Sequence, residues 1–304
     1  MSALSETVTA DGRSMVRVSS WQMGKKRRKL VVDILTYLIL CLVGITMVFP
    51  LFWMVSTSFK SDSELFILPP PLLPLHPTLA NYPQAFERIP YFRMLWNSIV
   101  VAVVVTVGRV FTSTFGGFAF ARLQFPGRDK LFLLYLAVLM VPFPVTMIPL
   151  YLIMKALGWI NSLNSVMYPA IVSAYTTFLC RQFMLTLPVE LEDAARIDGA
   201  NPGRIYWNVI MPLCGPVIAA TVIFTFLSSW NSFLWPLLML STPEKTTLPI
   251  GLTMIANARV NYGGYTPYTQ LMAAATAGAI PMILVYIAAQ KQFIQGIAVT
   301  GLKG

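Results

Sequence analysis

Apolar runs of roughly twenty residues or more alternate with short polar connections along this chain, and runs of that length predict helices that cross a bilayer. The first extends from about Leu30 to Ser56, the second from about Met94 to Phe120, the third from about Leu131 to Met154. Three more follow, from about Leu163 to Leu185, Met211 to Leu240 and Tyr268 to Gln290. Residues 1–29 are polar and basic without apolar periodicity and read as a flexible or surface-lying tail.

Proline and glycine punctuate this pattern. Seven prolines between Phe59 and Pro90 rule out one continuous helix there, so that stretch reads as an extramembrane loop. Pro142, Pro144 and Pro149 require the third run to kink or break, which is tolerated only against protein or a water-lined path. Gly116-Gly117 near the end of the second run permits close helix approach. Gly158 and Asn161 mark a short turn before the fourth run, and Ser241 to Thr266 reads as a loop.

Pro188 to Pro216 is a charged island in this apolar chain. Glu190, Glu192, Asp193, Arg196, Asp198 and Arg204 fall within it, although charged residues make up only 11% of the whole. Pro188 can open a helix, the carboxylates suit the positive end of its dipole, and Gly199 supplies a left-handed stop. Asn201 then caps a second helix that Pro202 begins. The expectation is a short helix, a sharp turn and another helix.

Composition narrows the class. With 56% hydrophobic residues the chain is expected to be an all-α polytopic membrane protein of six transmembrane helices. The net charge of +10 and the run Lys25-Lys26-Arg27-Arg28-Lys29 raise nucleic-acid binding, but that run directly precedes an apolar segment and is assigned to topology instead. The first run also outlasts the apolar core of a signal peptide, about 7–15 residues, so it reads as a retained anchor. Placing the N-terminus inside puts fifteen Lys and Arg inside and six outside, with Arg109 left within the second run. The positive-inside rule therefore places both termini and the charged island in the cytoplasm. The organisation is a basic tail over 1–29, a transmembrane domain over 30–290 whose cytoplasmic connection is 188–207, and a C-terminal tail over 291–304.

Catalytic material is scarce. His76 is the only histidine and lies in the proline-rich loop; Cys41, Cys180 and Cys214 sit in or beside apolar runs without metal-binding spacing. Neither a metal site nor a Ser-His-Asp centre is expected. No GxxxxGK[ST] loop is present, nor a GxGxxG after a strand. An ion-coupled secondary transporter would place acids or histidines within its spans, whereas Asp33, the one acid in a span, lies at its cytoplasmic end. A transport cycle here needs a motor on another chain, and the island is the handle.

The island resembles the EAA loop of binding-protein-dependent ABC importer permeases. It runs Asp193-Ala194-Ala195-Arg196-Ile197-Asp198-Gly199-Ala200, with Ile210-Met211-Pro212 downstream, between the fourth and fifth spans. Asp193 stands where that family usually has Glu, and Glu192 is adjacent. Phe125-Pro126-Gly127-Arg128, Met140-Val141-Pro142, Ile148-Pro149-Leu150-Tyr151, Trp230-Asn231, Trp235-Pro236-Leu237 and the closing Gly301-Leu302-Lys303-Gly304 are similar to the carbohydrate-importing, MalG-like branch.

The resemblance implies a permease subunit without its own catalytic site, in a bacterial or archaeal plasma membrane. It implies a second, different permease subunit, two ATPase subunits that hold ATP and Mg, and an extracytoplasmic solute-binding protein; this chain itself would bind no cofactor. The island would be a coupling helix with Glu192 or Asp193 as charged anchor. Ala194 and Ala195 would allow close contact, Asp198 and Ala200 complete the motif, and Gly199 makes the turn. A sugar or oligosaccharide is the implied cargo, a glycerol-phosphate-type compound or polyol the alternative.

Sugar pathways use planar hydrogen-bonding groups and aromatic faces. Candidates are Thr146, Tyr175, Thr176, Trp230, Asn231 and Trp235, the tryptophans alternatively forming an interfacial belt. Arg109, where the family has an apolar residue, either lines the route and favours an anionic or strongly polar glycan or pairs with a carbonyl or partner-subunit group.

Overall fold

The structure is a computed structural model that describes residues 20–258 and 266–301. The expected C-terminal motif beyond Gly301 and the outside charge at Arg259 lie outside the described residues. The chain divides into two compact units, residues up to Trp53 and residues from Met54 onward.

Helix α1 (Ser20–Ser58) forms the described part of the first unit and sends its final residues into the second. From Leu30 to Phe52 it carries large apolar side chains all around, as suits a helix long and apolar enough to cross a membrane. Thr36 and Thr46 donate their hydroxyls back to Val32 O and Val43 O, so neither leaves a polar group without a partner in hydrocarbon. The helix begins ten residues before Leu30, the expected start of the first run, and so takes in the end of the basic tail. Straight-chain Met, Lys and Arg favour helix, and no proline interrupts them.

In the second unit the proline-rich connection is ordered by buried polar groups. Lys60 is almost fully buried and donates to Pro71 O at 2.7 Å, while Asn81 donates to Ser58 O and Lys60 O. Glu64, also buried, accepts from the backbone N–H groups of Leu75 and His76. Burial pushes its pKa up, but these backbone bonds and those from Ser61 outweigh that and hold it below the usual carboxylate value. A short helix α2 (Asn81–Arg88) leads to α3 (Tyr91–Arg122), the central element.

Around α3 pack α6 (Asn164–Ile171), α7 (Ala174–Leu185) and α11 (Gly215–Trp230). The glycines noted in the sequence carry the closest approach: a Cβ on Gly117 would stand 2.8 Å from Cys180 Cβ and 3.0 Å from Arg181 N. Between α3 and α6 come α4 (Arg128–Ala137) and α5 (Phe143–Ala156), bent by 100° at the Pro142 region, which meets the expectation of a broken third run. Gly158 and Asn161 both take positive φ in the turn that follows.

Three stretches differ from the sequence reading. The fourth run is two helices, interrupted at Val172-Ser173. The fifth run ends at Trp230, and a separate α12 (Leu234–Met239) follows Asn231. The stretch read as a loop after Ser241 contains α13 (Leu248–Ala256), with Leu248, Ile250 and Ile255 buried. Pro249 opens it, but nine residues are too few to give a span-length signal. α14 (Tyr268–Gly301) completes the described chain.

Among the described residues three helices are long and apolar enough to cross a membrane, and five crossings result if each of two bent pairs counts as one. The described regular structure is helical throughout.

Candidate functional site

The charged island folds as its residues direct. Helix α8 (Glu190–Ile197) carries Glu190, Glu192 and Asp193 in its first turn and ends at Gly199, whose φ is +78°. Ala200 N–H donates to Ala195 O and Gly199 N–H to Arg196 O, the paired bonds of a Schellman cap. Asn201 Oδ1 then accepts from Arg204 N–H at 2.8 Å and starts α9 (Pro202–Ile205). A π-helical turn (Tyr206–Ile210) and α10 (Met211–Leu213) join it to α11, with a bend of 78°.

Two faces result. Asp193, Ala194 and Asp198 are exposed beside Ile197, an apolar side chain that is 87% exposed. On the opposite face Ala195 and Ala200 pack against a cluster that includes Phe118, Met184, Ile205 and Tyr206. Of the two carboxylates offered as charged anchor, Asp193 lies at the surface, where Arg196 Nη1 donates to it at 3.0 Å. Glu192 points inward and is 2% exposed.

Glu192 meets Arg122, at the end of α3, with Oε1 and Nε 2.9 Å apart. Their closest atoms form an ion pair by distance, without an aligned hydrogen bond. Arg122 Nη2 also donates to Met184 O at 2.6 Å and Leu187 O at 2.7 Å. The guanidinium thus joins carbonyls where α7 ends to a carboxylate on α8. A cavity of about 230 Å³ adjoins this pair, lined also by Phe118, Arg196 and Ile205.

A second cluster lies midway along α3, at the break between α6 and α7. Pro169 has no N–H, so Ser165 O lacks its helical donor; the Trp235 indole N–H supplies one at 2.9 Å. Arg109 donates through Nε and Nη2 to Ala170 O, at 2.8 and 2.5 Å. Thr112 Oγ1 donates to Ile171 O at 2.8 Å. Both Arg109 bonds thus go to one backbone carbonyl. Thr176 is buried and accepts from Ser113 Oγ at 2.9 Å.

The other pathway candidates are dispersed. Trp230 is buried and stacks on Phe226 at 5.7 Å, whereas buried Trp235 packs edge-on to Phe143 in a different cluster. Thr146 and Tyr175 are exposed; Asn231 is exposed and donates to Leu227 O at the end of α11. Sequence reasoning did not connect Arg122 with the island and assigned Ile197, within it, no role. Arg122 entered only as a topology charge, although a guanidinium closing an apolar span needs counter-groups, and Ile197 is an exposed apolar residue on an otherwise charged face.

The fold is shared with a chain of a crystal structure of a bacterial ABC transporter involved in the import of the acidic polysaccharide alginate, which superposes with a TM-score of 0.78, at 23% identity, over 88% of this chain and 98% of that one. The model of the family "binding-protein-dependent transport system inner membrane component" matches residues 112–299, and the chain belongs to that family. It is 38% identical over 264 residues to the arabinooligosaccharides transport system permease protein AraQ of Halalkalibacterium halodurans, covering 84% of this chain and 91% of that protein. It is also 34% identical over 277 residues to the sn-glycerol-3-phosphate transport system permease protein UgpE of Brucella abortus, covering 89% and 97%.

Proposed function

We propose that this chain is one of two permease subunits in an ATP-driven importer and forms half of the translocation pathway for a sugar or oligosaccharide. The observation that carries this reading is the two-faced island: a rigid, Schellman-closed helix that presents Asp193, Ala194, Ile197 and Asp198 outward in a chain of transporter family. Small side chains let a partner backbone approach, and a helix anchored on its inner face transmits a push that a loose loop would absorb. The alginate importer fold and the AraQ likeness support import of carbohydrate.

In this reading six spans cross the plasma membrane of a bacterium, α6 and α7 together forming the crossing that length and composition alone leave out. Both termini and the island are cytoplasmic. The second permease subunit differs from this one, two ATPase subunits hold ATP and Mg, and a solute-binding protein delivers cargo from outside. ATPase closure pushes the island and rocks the two permeases between inward-open and outward-open states. Glycerol-phosphate-type cargo is the second reading, favoured by the likeness to UgpE.

The test is reconstitution of the whole complex in proteoliposomes with its binding protein. Stimulation of ATP hydrolysis by an arabino-oligosaccharide and not by glycerol 3-phosphate supports the first cargo; the reverse supports the second. Gly199→Val, at a position where an added Cβ has no atom within 4 Å but a β-branched residue is forced to φ +78°, is expected to insert normally and to hydrolyse ATP without transport. Wild-type coupling in that variant would remove the island from the mechanism.

A further inference from the structure

We propose that Arg122 is a positioning residue for coupling, and that the buried Arg122–Glu192 pair sets the angle at which α8 meets its motor. This rests on the reading of the island as the coupling element. It adds a division of labour between two adjacent carboxylates, one facing the partner and one facing the membrane domain.

The geometry requires that division. Glu192 is 2% exposed and its Oε1 stands 2.9 Å from Arg122 Nε, so it cannot reach a partner surface while α8 stays seated. Arg122 is the last residue of α3, the helix against which α7 and α11 pack. Its Nη2 also donates to Met184 O and Leu187 O at the end of α7. One guanidinium therefore joins α3, α7 and α8.

Apolar packing beneath α8 runs through Ala195 and, just past its end, Ala200, and the cavity of about 230 Å³ lies beside them. Alanine side chains beside an open pocket offer little surface to resist tilting. The charged pair is what holds the helix at a fixed inclination there. Displacement of α8 by the motor is then passed to α3 through the pair.

A residue that only maintains the fold would lower the amount of assembled complex and leave each assembled complex working normally. A positioning residue changes the yield of transport per ATP. The experiment uses the full complex in proteoliposomes and reads ATP hydrolysed per substrate imported, normalised to assembled complex. Glu192→Gln keeps size and removes charge; Arg122→Lys keeps charge and removes the fork that reaches α7. Either variant is expected to raise the ATP-to-substrate ratio by about fivefold or more, the lower end of typical coupling effects between sites.

An unchanged ratio in both assembled variants overturns the proposal, and so does failure of both to assemble, which would assign the pair to folding alone. Asp193→Asn and Gly199→Val run alongside. If these uncouple and the pair variants do not, the positioning role falls and the coupling island stands. If none of the four changes the ratio, the reading of the island falls with it.

Discussion

Arg109 and Arg122 lie on the same helix, about 20 Å apart at 1.5 Å per residue, and the protein neutralises them in opposite ways. Arg122 faces a buried carboxylate as well as two carbonyls. Among the described residues Arg109 faces the carbonyl of Ala170, a dipole, and no carboxylate. Both repair places where regular helix stops, yet only one of them would leave a charge behind if removed. The contrast separates a charge used to hold a moving part from a charge used to replace missing backbone bonds.

The largest expected effect follows directly. Arg122→Leu leaves the buried Glu192 with only its 3.5 Å contact to half-exposed Arg196, and removing one partner of a buried pair costs about 3–5 kcal/mol. The measurement is the recovery and thermal midpoint of the purified complex in detergent, both of which should fall sharply. Arg122→Leu/Glu192→Leu should regain much of that stability, because the stranded charge is gone. Equal loss in the single and double variants would mean that the carbonyl bonds at Met184 and Leu187, and not the ion pair, matter at this end.

Close packing between the two arginines ranks next. Gly117→Val would drive a branched side chain into Cys180 Cβ and Arg181 N, where the neighbour is backbone and cannot swing aside. Overpacking of this kind costs about 1–3 kcal/mol, and both clusters should loosen, since α3 and α7 carry them in common. A lower thermal midpoint of the purified complex in detergent would register it.

The two regions also differ in how far the sequence discloses them. Everything that shapes the island is local: Gly199 for the left-handed turn, Asn201 and Pro202 for the restart, carboxylates at the helix start. Such signals act within a few residues, so α8, the turn and α9 were legible. The break at Val172-Ser173 was not, because what makes it tolerable comes from far along the chain. Arg109, Thr112 and Trp235 serve Ala170, Ile171 and Ser165, and no local pattern in residues 163–185 reveals those donors. α13 was lost for a related reason: its burial against α3 and α14 is tertiary, and its short run resembles a loop between spans. Arg122 was legible as a charge and illegible as a strap, since its partner lies beyond a whole helical run.

Arg109→Leu should affect stability less than either change above. It leaves Ala170 O without its donor, which costs about 1–3 kcal/mol, but it also removes a guanidinium whose placement in a span costs about 2.5–3.5 kcal/mol on insertion scales. These oppose each other, so the thermal midpoint of the complex should move little. Import of a neutral and of an acidic glycan should change by the same factor. A selective loss of the acidic cargo would place the guanidinium in the transport route and end its equivalence to a backbone donor.

The smallest effect belongs to Arg196, and it divides the two oxygens of one carboxylate. Glu192 Oε2 lies 3.5 Å from Arg196 Nη2, while Asp193 Oδ1 lies 3.0 Å from Arg196 Nη1. The Arg196 side chain is 53% exposed, so water competes for both contacts, and helix pairs of this spacing contribute about 0.3–0.5 kcal/mol. Arg196→Ala should therefore leave the thermal midpoint and the ATP-to-substrate ratio close to wild type, and raising the salt concentration should erase any residual difference. Arg122, 6% exposed at the other oxygen, should show no such salt dependence. If Arg196→Ala uncouples as strongly as Glu192→Gln, the strap is a three-residue network in which each charge orients the next, and Arg122 does not act alone.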